Sequence, residues 1–201
     1  HREAVLGALP ALRAQLGPDR ALLVTFRTET EGGGRPIADR DLGILLDALI
    51  SGRRAGTQSA VDLVDIETAR DPRTVQRVIS AAHRHGTVVI GSYHDMEGTA
   101  PEEELVEILR AQRRRGADVP KVAVTPRSAR DVLTLLSASL TVAEDLSGPH
   151  IAISMGTLGA STRVAAETFG SAATFATAGE GSAPGQLRAE DVAGMLELLR
   201  P

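Results

Sequence analysis

Val119-Pro120-Lys121-Val122-Ala123-Val124-Thr125-Pro126 is a run of β-branched and small residues bounded by proline, the composition of a short buried strand. At its centre stands Lys121, the only lysine among the 22 Lys and Arg residues of the chain. A lysine kept where arginine is otherwise the default suggests a task that a guanidinium cannot do. An amine can lose its proton near neutral pH and attack a carbonyl, which is Schiff-base chemistry. On the strand alone, a second reading stands beside it: a lysine that snorkels its head out to solvent.

Outward from this run, apolar helical stripes lie on both sides, over 101–115 and 128–139, and the strand-helix unit recurs. Strand 22–27 leads through Glu31-Gly32-Gly33-Gly34 to a helix from Asp39, strand 61–67 to helix 72–85, and strand 87–93 to helix 101–115. Strand 151–155 precedes a helix near 161–169, and strand 172–177 precedes helix 189–199. Residues 4–16 form an opening helix with Val5, Leu6, Leu9, Leu12 and Leu16 on one stripe, with Pro10 as a point of shortening or kinking. Such alternation predicts an α/β fold with a parallel sheet. Arg27, Glu67, His94, Pro126 and Met155-Gly156 fall at the C-terminal ends of successive strands, where (β/α)8 barrels assemble active sites. An open sheet would gather function at one switch point instead. The expectation is a (β/α)8 TIM-barrel type with six βα units in these 201 residues, a single domain with two strands unaccounted for.

The formal charge of −4 leaves no electrostatic footprint for nucleic acid, and Arg113-Arg114-Arg115 reads as a solvated helix end. Without cysteine there is neither a disulfide framework nor a thiolate metal site. No apolar run reaches membrane-spanning length and no signal-peptide pattern opens the chain, so a cytoplasmic protein without membrane partners is expected.

Of the five histidines, His94 alone sits at the catalytic end of a strand and is the acid/base candidate. His83 and His85 read as solvated at a helix terminus, and no histidine pair has zinc-site spacing, so no metal is expected. Glu31 is a candidate to accept a hydrogen bond from His94 and fix its tautomer, or else to form a surface ion pair with Arg27. Arg163 follows a Gly-rich turn near a helix N-terminus, where positive charge calls for a facing anion. Ser182-Ala183-Pro184-Gly185-Gln186 suits a loop that closes over a ligand, or an ordinary connection.

Seven collinear runs carry a resemblance. They are Thr25-Phe26-Arg27-Thr28 with Glu31-Gly32-Gly33, Val64-Asp65-Ile66-Glu67, Ser92-Tyr93-His94-Asp95, Lys121-Val122-Ala123-Val124, Ser154-Met155-Gly156, Phe169-Gly170-Ser171 with Thr174-Phe175-Ala176, and Ser182-Ala183-Pro184-Gly185-Gln186. In order and spacing they resemble type I 3-dehydroquinate dehydratase from Leu22 onward. The resemblance implies a usually dimeric (β/α)8 barrel that dehydrates 3-dehydroquinate to 3-dehydroshikimate in the shikimate pathway, with no cofactor or metal. It implies Lys121 as the imine-forming lysine, His94 as general acid/base and Glu31 as its orienting carboxylate. Arg163 and Gln186 would clamp the substrate carboxylate, Arg27 and Ser182 would make further substrate contacts, and Met155 and Phe175 would be apolar walls. Thr162, Ala166 and Met96 depart mildly from the family pattern. Two family strands that precede the opening helix, the second ending in Glu-x-Arg, are not in these residues. The expected gap therefore lies between the strands over 22–26 and 172–177. Two other readings are a ligand-binding remnant that has lost catalysis and a class I aldolase-type Schiff-base barrel.

Overall fold

The computed structural model describes residues 2–17, 19–52, 61–179, 181 and 185–199. Among them the helices are α1 (Arg2–Leu16), α2 (Asp39–Ser51), α3 (Pro72–Arg84), α4 (Glu102–Arg114), α5 (Ala129–Asp145), α6 (Thr162–Ala165) and α7 (Ala189–Leu199). The strands are β1 (Leu23–Thr25), β2 (Leu63–Glu67), β3 (Val88–Asp95), β4 (Val119–Val124) and β5 (Ile151–Ser154), in the sheet order β1-β2-β3-β4-β5. The chain divides into two compact units, His1–Ser92 with Arg115–Asp118, and Tyr93–Arg114 with Val119–Pro201.

In the first unit β2 pairs in parallel with β1, Leu23 opposite Leu63, and with the start of β3, Leu63 opposite Val88. Side chains alternate across a strand, and β2 uses both faces differently. Val64 and Ile66 enter a core built with Leu42, Leu46 and Ile50 of α2 and Val75, Val78 and Ile79 of α3, so Asp65 and Glu67 point to the opposite face. α3 begins where Asp71 accepts a hydrogen bond from the Thr74 N–H at 2.8 Å, with Pro72 in the first turn, where its missing N–H costs nothing. α1 runs through Pro10. Of its expected stripe only Leu9 is buried, while Val5 and Leu12 are exposed.

In the second unit β4 pairs in parallel with β5, Lys121 opposite Ile151. Val122 and Val124 pack with Leu105 and Leu109 of α4 and Leu135, Ala138 and Val142 of α5. By alternation Lys121 and Ala123 project from the other face of β4. A reciprocal capping box between Ser128 and Asp131 starts α5.

Three expectations are corrected. Residues 172–176 are not a strand. The Ala172 N–H donates to His150 O at 2.8 Å beside an isolated bridge between His150 and Ser171, so β5, not 172–177, ends the sheet opposite β1. Pairing here is limited to that bridge and one at Thr177, and a strand forms only where a partner edge runs alongside. The helix near 161–169 is a single α turn, Thr162–Ala165, followed by a 3-10 turn, Ala166–Phe169. The arginine run is also not merely solvated: Arg113 donates to Pro149 O and Arg115 to Thr68 O, each at 2.7 Å, while Arg114 pairs with Glu107. No helix among the described residues is long and apolar enough to cross a membrane.

Candidate active site

Two groups of chemically capable side chains stand out, one in each unit. In the second unit Lys121 is buried, 5% exposed, on the face of β4 turned away from the helices. Its Nζ lies 3.3 Å from His94 Nε2 and 4.5 Å from the centre of the Phe175 ring. An ammonium over a ring face at this distance is attracted by the ring quadrupole, and the ring also keeps water off the amine. The snorkelling reading is thereby excluded. The main chain at Lys121 is fixed independently: its N–H donates to Gln112 Oε1 at 2.8 Å, and Gln112 Nε2 donates to Lys121 O at 3.1 Å. Gln112 stands one turn beyond Leu109 and two beyond Leu105 on the buried stripe of α4. A polar residue at an apolar stripe position was the signal that could have revealed it from the sequence.

Met155 follows β5, buried, and its N–H donates to Val124 O at 2.8 Å, which sets it beside the end of β4. Arg163 is 3% exposed; its Nη1 donates to Phe175 O at 3.0 Å, and burial lowers its pKa. α6 is anchored to the end of β5 by Thr162, whose hydroxyl accepts from the Ser154 N–H at 3.1 Å and donates to Gly159 O at 2.8 Å. Gln186 is half-buried directly after Gly185, whose φ is +69°. A Cβ at Gly185 would strike the Gly156 backbone, so only glycine lets the chain before Gln186 pass so close to the end of β5. Ser182 lies outside the described residues.

The first unit holds a charged group built from the inward positions of β2. Arg27 Nη2 donates to Asp65 Oδ1 at 2.8 Å, and its Nη1 to Glu67 Oε1 at 2.8 Å and Ser92 Oγ at 3.1 Å. Glu31 Oε2 lies 3.4 Å from Arg27 Nη1, with the Glu31 side chain 6% exposed, so this is a buried pair and not a surface one. Burial works against the Arg27 charge, but Asp65, Glu67 and Glu31 outweigh it and hold its pKa above the ordinary value. Glu31 sits on a 3-10 turn, Glu29–Glu31, that folds back so tightly that a Cβ at Gly33 would strike Arg27 O. Asp65 and Ser92, which lie within the quoted motifs, belong to this group as well. Two acids alternating with apolar residues in a buried strand are a sequence signal that points to Asp65 and Glu67.

A model of the type I 3-dehydroquinase family matches residues 1–201. The chain belongs to the type I 3-dehydroquinase family. It is 43% identical over 198 residues to the 3-dehydroquinate dehydratase of Syntrophotalea carbinolica, covering 98% of this chain and 76% of that relative. Among solved structures it resembles type I 3-dehydroquinate dehydratase of Clostridium difficile, solved with covalently modified comenic acid, with a TM-score of 0.91 and 34% identity over 99% of this chain and 76% of that one. The Geobacillus kaustophilus 3-dehydroquinate dehydratase matches with a TM-score of 0.91 and 38% identity, over 98% of this chain and 74% of that one. The α/β fold expected from the strand-helix alternation is thus the fold of the type I 3-dehydroquinases.

Proposed function

We propose that the chain dehydrates 3-dehydroquinate to 3-dehydroshikimate through an imine formed at Lys121. The observation that carries the reading is a buried lysine amine 3.3 Å from a histidine ring nitrogen in a member of this family. The uncharged amine attacks the substrate ketone carbon, and loss of the carbonyl oxygen as water leaves the C=N bond. His94 passes the protons of that step and then takes the α-proton. The protonated imine draws in the electron pair, and the β-hydroxyl leaves as water with a proton returned by His94. Hydrolysis frees the product and restores the amine, so the net change is loss of one water.

The remaining assignments follow the family correspondence. Arg163 and Gln186 bind the substrate carboxylate, Arg27 and Ser182 make further substrate contacts, Glu31 is the orienting carboxylate, and Met155 and Phe175 form apolar walls. The enzyme works as a homodimer in the cytoplasm, serving the shikimate pathway without metal or cofactor.

Borohydride reduction during turnover, followed by intact mass and peptide mapping, tests the reading. Hydride delivered to the C=N carbon leaves a stable secondary amine at Lys121. An adduct with 3-dehydroquinate supports the proposal. An adduct only with a sugar phosphate would favour an aldolase-type reaction, and no adduct would leave a ligand-binding remnant. Light scattering checks the dimer.

A further inference from the structure

We propose that Glu67 is a positioning residue for this reaction, holding Arg27 and the backbone beside it in the arrangement that binds substrate. The inference rests on the dehydratase reading above. Glu67 ends β2, is 1% exposed, and commits both carboxylate oxygens to the segment after β1. Oε1 accepts from Arg27 Nη1 and from the Thr28 N–H, each at 2.8 Å, and Oε2 accepts from Thr28 Oγ1 at 2.6 Å. Thr28 passes the constraint on: its carbonyl accepts from the Glu31 N–H at 3.1 Å and the Gly33 N–H at 2.7 Å. One buried carboxylate therefore fixes a guanidinium, the backbone beside it and the first bond of the turn.

Asp65, two residues earlier on the same face of β2, holds the other terminal nitrogen of Arg27, and Ser92 Oγ donates to Asp65 Oδ1 at 2.6 Å. The guanidinium is thus stretched between two neighbouring carboxylates, each on a different terminal nitrogen of its planar fork. Folding alone gives little reason for this. Apolar residues of similar volume commonly serve stability as well as a buried ion pair does, whereas removing one member leaves an uncompensated charge. The Arg27 side chain stays 20% exposed, so the cluster fixes it without sealing it from the surface.

Glu67→Gln keeps the shape and removes the charge. Hydrogen bonds to charged groups are strong enough that KM for 3-dehydroquinate should rise about tenfold or more while kcat stays within about threefold. Thr28→Val, which removes only the hydroxyl on Oε2, should raise KM by a smaller factor in the same direction, and it decides the matter if Glu67→Gln does not fold. KM within about threefold of wild type in a folded Glu67→Gln protein overturns the proposal, as does a loss of kcat that matches a loss of folded fraction by circular dichroism. Borohydride trapping of the wild type runs in parallel. Failure there removes the dehydratase reading itself, whereas normal trapping with unchanged KM in the variant removes only the role of Glu67.

Discussion

The two charged centres are built in opposite ways. Arg27 is surrounded by carboxylates that hold its charge on, whereas the Lys121 amine meets a histidine ring nitrogen and a phenyl face. An arginine so placed is a fixed positive point with a rigid fork. An amine, unlike a guanidinium, can lose its proton near neutral pH and act as a nucleophile.

Exchanging the two basic residue types breaks or upholds that contrast. Lys121→Arg retains charge but not the ability to deprotonate, so kcat should fall by roughly 10⁴-fold or more, with no borohydride adduct. Appreciable residual turnover in stopped assays would defeat the imine reading. His94→Ala should cost about 10²–10⁴-fold in kcat, the usual range for a positioned acid/base, and activity within a few-fold of wild type would remove it from the mechanism. The converse exchange, Arg27→Lys, keeps the charge but offers one nitrogen where Arg27 meets Asp65 and Glu67 with two. It should raise KM by roughly 10–10²-fold with a smaller change in kcat, read by steady-state kinetics.

The smallest expected effect is on stability and also belongs to the second unit. His150 is 1% exposed with Nε2 2.8 Å from Ser139 Oγ; burial first, and the Arg113 charge second, lower its pKa from the ordinary 6.5. A lowered pKa means the unfolded chain binds the proton more readily. Stability from His150 is thus present above about pH 6.5 and is lost as pH falls below it, by at most about 1.4 kcal/mol per pH unit. Thermal melts from pH 7.5 to 5 should show a slope that His150→Gln reduces. An unchanged slope would assign the acid sensitivity to other groups.

The strand around Lys121 was legible because its proline boundaries and β-branched residues leave few alternatives, and the strand-helix alternation followed from apolar periodicity alone. The segment 172–177 was misread: Ala172-Ala173-Thr174-Phe175-Ala176-Thr177 has strand-like composition, but its pairing reduces to bridges at Ser171 and Thr177. Strand formation depends on a partner edge, which composition does not reveal. Nothing in the sequence around His150 marks it as buried, and only packing, with Ser139 against its ring, shows it so.

The sequence by itself determined the α/β class, the family, and the place of the chain's one lysine on a strand, because these depend on residue type and spacing. Only the tertiary structure decided that Lys121 is buried beside His94 and Phe175, that Arg27 bridges Asp65 and Glu67, and that Gln112 grips the main chain at Lys121. Each of the first two groupings joins different strands or a strand and a loop, and the third joins a helix face to a strand. Which side chains meet across such elements is set by register and by which face of each strand the apolar core claims, a property of the packed whole rather than of any one segment.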